Sequence, residues 1–197
     1  MEAYPKIVRL KDGSKATLRP MVSEDVQKLL AFFRKLPEED RLFLKEDVTD
    51  EKVIQRWADE LDYDKAFPVL AEVGGEVVAD ATLHTQQRGW SRHIGEVRCV
   101  VAREYQRKGL GTILIREMFH RALQKGLHKL QASMPDKQVG AMKAFQTIGF
   151  RKEAVLKEHA VDIKGNKHDL VIMTNRVAEL WRKISDHLME TGFSAEH

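Results

Sequence analysis

The chain reads as a mixed α/β (α+β) domain built on one central, mostly antiparallel, twisted sheet of about seven strands flanked by helices. Three observations predict it. Two pairs of strand-like runs are joined by tight turns, at Gly74-Gly75 and at Gly165-Asn166. Amphipathic helical segments lie before, between and after those pairs. A strand also feeds straight into a helix through Gln106-Arg107-Lys108-Gly109-Leu110-Gly111.

Taken in order, Lys15 to Pro20 is a short strand closed by proline, and Ser23 is placed to cap a helix over 24–36. Its Val26, Leu29, Leu30 and Phe33 recur at helical spacing, and Pro37 ends it. A polar, acid-rich segment follows. Asp50 then starts a helix over 51–61 that buries Val53, Ile54 and Trp57. Residues 67–73 and 76–86 form the first hairpin. Val77, Ala79, Ala81 and Leu83 share one face of its second strand, while Asp80, Thr82 and His84 point the other way.

The strand over 94–102 meets the glycine-rich turn, and the following helix carries Leu110, Leu114, Met118 and Ala122 as one stripe to Gly126. A strand over 129–134 is broken by Pro135, and a helix over 138–148 is stopped by Gly149. Residues 150–162 and 168–175 make the second hairpin, and a last helix runs over 177–189. This reads as one domain over 1–176, with 177–197 as a C-terminal helix packed on it. A partner subunit in a homodimer is the other cover for that helix.

At 197 residues, a domain buries about 70% of its unfolded surface and needs no staples. Net charge is +3 without a Lys/Arg stripe, which argues against nucleic acid as a partner. The single cysteine, Cys99, excludes a disulfide framework and any multi-thiolate zinc site. The charged start, broken by Pro5, does not resemble a signal peptide, and no apolar run approaches the ~20 residues a membrane span needs. The expected compartment is the cytoplasm, with no membrane partner.

In the glycine-rich turn, glycines let the backbone approach an anion, and the first amides of a helix point outward without partners. Arg107 and Lys108 add positive charge at the positive end of the helix dipole. The spacing, Q-x-x-G-x-G, suits the pyrophosphate of a nucleotide-like cofactor. It equally serves a plain strand-to-helix turn, and the six residues alone do not separate the two.

Together with the downstream run Gln138-Val139-Gly140-Ala141-Met142-Lys143-Ala144-Phe145-Gln146-Thr147-Ile148-Gly149-Phe150, the order of elements resembles the GNAT family of N-acetyltransferases over residues 15–175. The resemblance implies a sheet splayed at its central strands and acetyl-CoA as cosubstrate. Amides of Gln106, Arg107, Lys108, Gly109, Leu110, Gly111 and Thr112 would hold the pyrophosphate. Backbone around Cys99, Val100 and Val101 would pair with the pantetheine arm, and the helix bearing Gln138 and Phe145 would flank it. Two positions depart from the family pattern. Gln138 replaces the usual asparagine, and Phe145 replaces a tyrosine proposed as proton donor to the leaving thiolate. A looser likeness, through Leu18-Arg19-Pro20 and the run over 37–43, is to the acetyltransferase domain of bacterial protein-lysine acetyltransferases.

Acyl transfer needs a neutral amine, and a lysine-like amine with a pKa near 10.4 costs about 4.6 kcal/mol to deprotonate at pH 7. Glu96 is the first candidate base, one residue out of the family's register unless a bulge intervenes. The alternative is a surface pair with Arg98 or Arg92. His93 is the second candidate. Asp80 and His84 line a cleft or a solvated strand face. Ser133 stands where some relatives carry another glutamate, and Cys99 reads as a buried small hydrophobe. His159, His168 and Asp169 lack metal spacing and read as strand surface, so no metal is expected. The implied activity is acetyl transfer from acetyl-CoA to a primary amine, a protein lysine or a small molecule. The alternative is a catalytically weak acetyl-CoA-binding regulatory module.

Overall fold

A computed structural model describes residues 4–41, 44 and 46–179. Its strands are β1 (Lys6–Arg9), β2 (Lys15–Pro20), β3 (Ala66–Val73), β4 (Glu76–Thr85), β5 (Ile94–Val101), β6 (Lys129–Pro135), β7 (Arg151–Val161) and β8 (Lys167–Arg176). The helices are α1 (Val26–Lys35), α2 (Glu38–Arg41), α3 (Glu51–Asp59), α4 (Leu110–Gln124) and α5 (Val139–Thr147). One sheet joins all eight strands in the order β1-β2-β3-β4-β5-β6-β8-β7. Only β5 and β6 run parallel, because α4 crosses between them.

Two apolar layers sandwich the sheet. On one face Leu110, Leu114, Met118 and Phe119 of α4 pack on Ala79, Ala81, Leu83 and Val97. Leu110, Leu114 and Met118 are wholly buried, and each such side chain contributes roughly 1.5–3 kcal/mol. On the other face α1 and α3 set Leu29, Leu30, Phe33 and Ile54 against Leu70, the half-buried Val100 and Ala102, and Val77, which a register shift in the β3–β4 pairing turns away from the Ala79 face expected for it. Helix α4 and the pair α1 and α3 therefore lie on opposite sides of the sheet.

Most expected elements are present, and tertiary contacts account for the main differences. β1 adds an eighth strand to the seven expected. Its Ile7-Val8 core is short, and its pairing with β2 is tertiary. Ser23 does not cap α1. Residues 23–25 form a 3-10 turn, and the Asp25 carboxylate turns back to accept the Val22 N–H at 2.8 Å. Arg19 grips that carboxylate with two bonds of 2.6 Å and reaches Glu72 with a third. Asp50 does cap α3, accepting from the Lys52 N–H at 2.9 Å. Val53, expected in the core, is half-exposed, while Ile54 and Ala58 are buried.

His168 is buried rather than on the strand surface: its ring meets the Asp162 carboxylate at 2.9 Å and closes the second hairpin. The last helix begins at Val177, which is buried, and its expected course from residue 180 lies outside the described residues. So do Leu42 and Phe43.

Candidate active site

The central strands part as they rise from their closed end. β5 pairs with β6 only at Ile94↔Lys129, Gly95↔Leu130 and Glu96↔Gln131. Above that, residues 97–101 of β5 keep their antiparallel partners on β4, and residues 132–135 of β6 keep theirs on β8. Each strand thus has one ladder edge without the other, and the V between them opens toward the glycine-rich turn. Gly95 sets the vertex. A Cβ there would come within 2.8 Å of Leu83 and Leu127 side-chain atoms and 3.0 Å of Leu130, so a larger residue would have to displace buried leucine side chains.

At the open end, residues 103–105 make a 3-10 turn and Gly109 caps α4 with φ 88. That left-handed conformation is cheap only for glycine. The first bond inside the helix runs from the Ile113 N–H to the Gly109 carbonyl, so the amides of Leu110 to Thr112 start the helix without partners within it. Gln106 donates through Nε2 to the Val101 carbonyl at 3.0 Å, fastening the turn to β5. Gln106 and Arg107 are exposed; Lys108, Gly109, Gly111 and Thr112 are half-buried. Leu110 sends its side chain into the core and has only its amide to offer.

The residues present fit an elongated acyl-CoA. A left-handed glycine opens unpartnered amides at the head of a helix, two cations adjoin it, and an unpaired strand edge runs down from it.

The predicted side chains fall into two groups. Glu96 stands at the vertex, opposite His84 on β4, with the Arg98 guanidinium 3.4 Å away. The β4–β5 register runs unbroken from Ala79↔Val101 to Thr85↔Gly95, so no bulge shifts Glu96 along the strand. His93 is not brought to the opening. It lies beyond the vertex, its carbonyl accepting from His128 and Lys129 and its exposed ring 6.0 Å from that of His128. Phe145 joins the core. It is buried edge-on against Phe150 with centroids 5.0 Å apart, because its side of α5 completes the core. Gln138 is half-buried at the head of α5. Trp90, in the turn before β5, is 90% exposed.

Burial pushes the Cys99 thiol up to about 12, and the nearby Asp80 carboxylate adds to the rise. That disfavours the thiolate a nucleophile would need. Asp80 itself is half-buried on the α1 face of β4, with the Thr82 hydroxyl at 3.4 Å. Burial lifts its carboxyl to about 7, against the opposing pull of Thr82 and the Arg98 charge. The sequence left Asp80 on a cleft or a solvated strand face and gave it no chemistry, because its environment depends on which β5 residue lies opposite. Among the described residues no group of three His, Cys, Asp or Glu could hold a metal ion. None of their helices is long and apolar enough to cross a membrane.

The model of the Acetyltransferase (GNAT) family matches residues 28–150, and the chain belongs to that family of acyltransferases. Solved structures with the same fold include the GNAT domain of PAT from S. lividans, with a TM-score of 0.74 and 18% identity over 87% of this chain and 96% of that one. A ribosomal-protein-alanine N-acetyltransferase from Brucella melitensis aligns with a TM-score of 0.70 and 23% identity, covering 81% of this chain and 98% of that one. A phosphinothricin acetyltransferase from Sinorhizobium meliloti, solved in complex with AcCoA, gives 0.69 and 20% over 82% and 88%.

Proposed function

We propose that the protein is an N-acetyltransferase that moves an acetyl group from acetyl-CoA to a primary amine, by direct transfer while both are bound. The observation that carries this reading is the V between β5 and β6 with the glycine-rich turn at its open end. Amides from Gln106 to Thr112 would receive the pyrophosphate, with Arg107 and Lys108 beside it. The free edge of β5 at Cys99 to Val101 would take the pantetheine arm as an added strand. A backbone amide near Val100 would polarise the thioester carbonyl. Glu96 at the vertex would accept the first proton, which turns the incoming ammonium into an amine. The inert thiol of Cys99 favours direct transfer over an acyl-enzyme.

The acceptor is a protein lysine or a small-molecule amine. The named relatives acetylate a ribosomal-protein alanine and phosphinothricin, so the fold accommodates amines of proteins and of small molecules. Incubation with labelled acetyl-CoA and a bacterial lysate, its protein and small-molecule fractions counted separately, tests the reading. Enzyme-dependent label in either fraction supports it and names the acceptor class. Tight acetyl-CoA binding with no coenzyme A released in either fraction would make the protein a regulatory acetyl-CoA sensor instead.

A further inference from the structure

Two protons must leave the acceptor nitrogen. The first converts ammonium to amine; the second leaves as the new amide bond forms, and the departing sulfur needs one. Phe145, buried and without a hydroxyl, supplies neither. Building on the acetyltransferase reading, we propose that Asp80 is a catalytic residue that takes the second proton from the acceptor nitrogen and returns it to the leaving sulfur.

Register and distance carry this assignment. Asp80 pairs with Val100 across β4 and β5, and directly opposed residues in an antiparallel pair point to the same face, about 5 Å apart. Val100 lies on the free edge of β5, where the carbonyl would be polarised. Glu96 lies on the same face but four residues down the strand, about 13 Å away at ~3.3 Å per residue. Asp80 is therefore the carboxylate closer to the bond being made, and Glu96 suits the approach.

The face is the right one. Leu70, the other cross-strand partner of Asp80, and Val100 both pack toward α1 and α3, whereas α4 occupies the opposite face. An amine entering over β4 meets Asp80 without crossing the cofactor helix, and Asp80 keeps some surface open to it.

The polar groups facing it are few. Thr82 and His84 follow on β4, Arg98 and Glu96 lie on β5, and Arg19 stands on β2 beyond Leu70 but is held by Asp25 and Glu72. A carboxyl group lifted to about 7 exchanges protons readily at neutral pH. The step balances. The nitrogen–carbon bond forms as the N–H proton passes to Asp80. The carbon–sulfur bond breaks, and the proton passes through a water to sulfur, leaving Asp80 ionised for the next cycle.

The experiment measures label transfer from acetyl-CoA to lysate amines between pH 5.5 and 9, with acetyl-CoA affinity measured separately by calorimetry. For the wild type the rate should climb to a plateau with a midpoint near 7. Asp80→Asn should lose roughly 10²-fold or more, keep acetyl-CoA affinity within about twofold, and lose that limb. Thr82→Val, which removes the hydroxyl favouring the ionised form, should move the midpoint upward while the enzyme stays active. Asp80→Asn within about threefold of wild type on the same pH limb would overturn the inference and leave the acetyltransferase reading intact. A wild-type protein that binds acetyl-CoA and transfers no label at any pH fails that reading, and the inference with it.

Discussion

The main-chain N–H of Lys11 donates to the carbonyl oxygen of Lys108 at 2.9 Å, stitching the β1–β2 turn to the glycine-rich turn almost a hundred residues on. Next to that bond the Asp12 carboxylate holds the Lys108 ammonium at 2.9 Å. The Ser14 hydroxyl and then Lys108 hold Asp12 well below the usual carboxylate range. One of the two cations beside the proposed pyrophosphate position is thus partly neutralised. Asp12→Asn should release it and tighten acetyl-CoA binding roughly two- to fivefold, the range of an exposed ion pair. Calorimetry at low and high salt checks this, and the gain should shrink at high salt.

Gly109 sits at φ 88, and a side chain there would project toward the stem of Lys11, whose Cε is 3.5 Å from where a Cβ would stand. Gly109→Trp should fill the cradle. The expected result is at least a 100-fold loss of acetyl-CoA affinity, with about 1–3 kcal/mol of backbone strain. Robust acetylation by that variant would place the pyrophosphate elsewhere.

Asp25 ties the start of α1 to the sheet through Arg19. Burial of its side chain favours the neutral acid, but the Arg19 guanidinium and the Val22 N–H more than offset this and hold its pKa below the usual value. A carboxylate with a depressed folded pKa contributes stability above its unfolded pKa of about 3.9, and loses it as the pH falls through the folded value. Asp25→Ala should cost about 2–3 kcal/mol at pH 7, since it removes two charge-assisted bonds and leaves the half-buried Arg19 to Glu72 alone. Urea titrations should show the gap from wild type narrowing below about pH 4.

Gly95 closes the vertex of the V against Leu83, Leu127 and Leu130. Gly95→Val should overpack this point and destabilise by about 1–3 kcal/mol. Because the vertex fixes where β5 leaves β6, acetyl-CoA affinity should fall with it. Chemical denaturation and calorimetry on the same sample measure both.

What could be read from the chain was what short-range chemistry decides. Gly74 and Gly75 both take positive φ, 60° and 84°, the double requirement of the tight hairpin turn that their pairing predicts. The stripe Leu110, Leu114, Met118 and Ala122 is wholly buried, as its helical spacing predicts. The glycine-rich turn was legible because its strand, turn and helix are contiguous.

What long-range register decides was not legible. β1 exists because β2 pairs with it, and four residues carry too little pattern to announce that. Ser23 looked like the cap of α1, but Arg19 on β2 holds the Asp25 carboxylate there, and Asp25 takes the Val22 N–H instead. Glu96 and His93 are three residues apart in sequence, yet one stands at the vertex and the other beyond it. Asp80 gains its place only by lying opposite Val100, a relation that no local pattern records.

The central claim is that acetyl-CoA lies in the V, its pyrophosphate on the glycine-rich turn and its arm along β5. Amide hydrogen exchange with and without saturating acetyl-CoA tests it most directly. The predicted result is new protection at residues 97–101 and 106–112, with little change at the outer strands β1 and β7. Protection confined to other segments, or none under saturating ligand, would contradict the account.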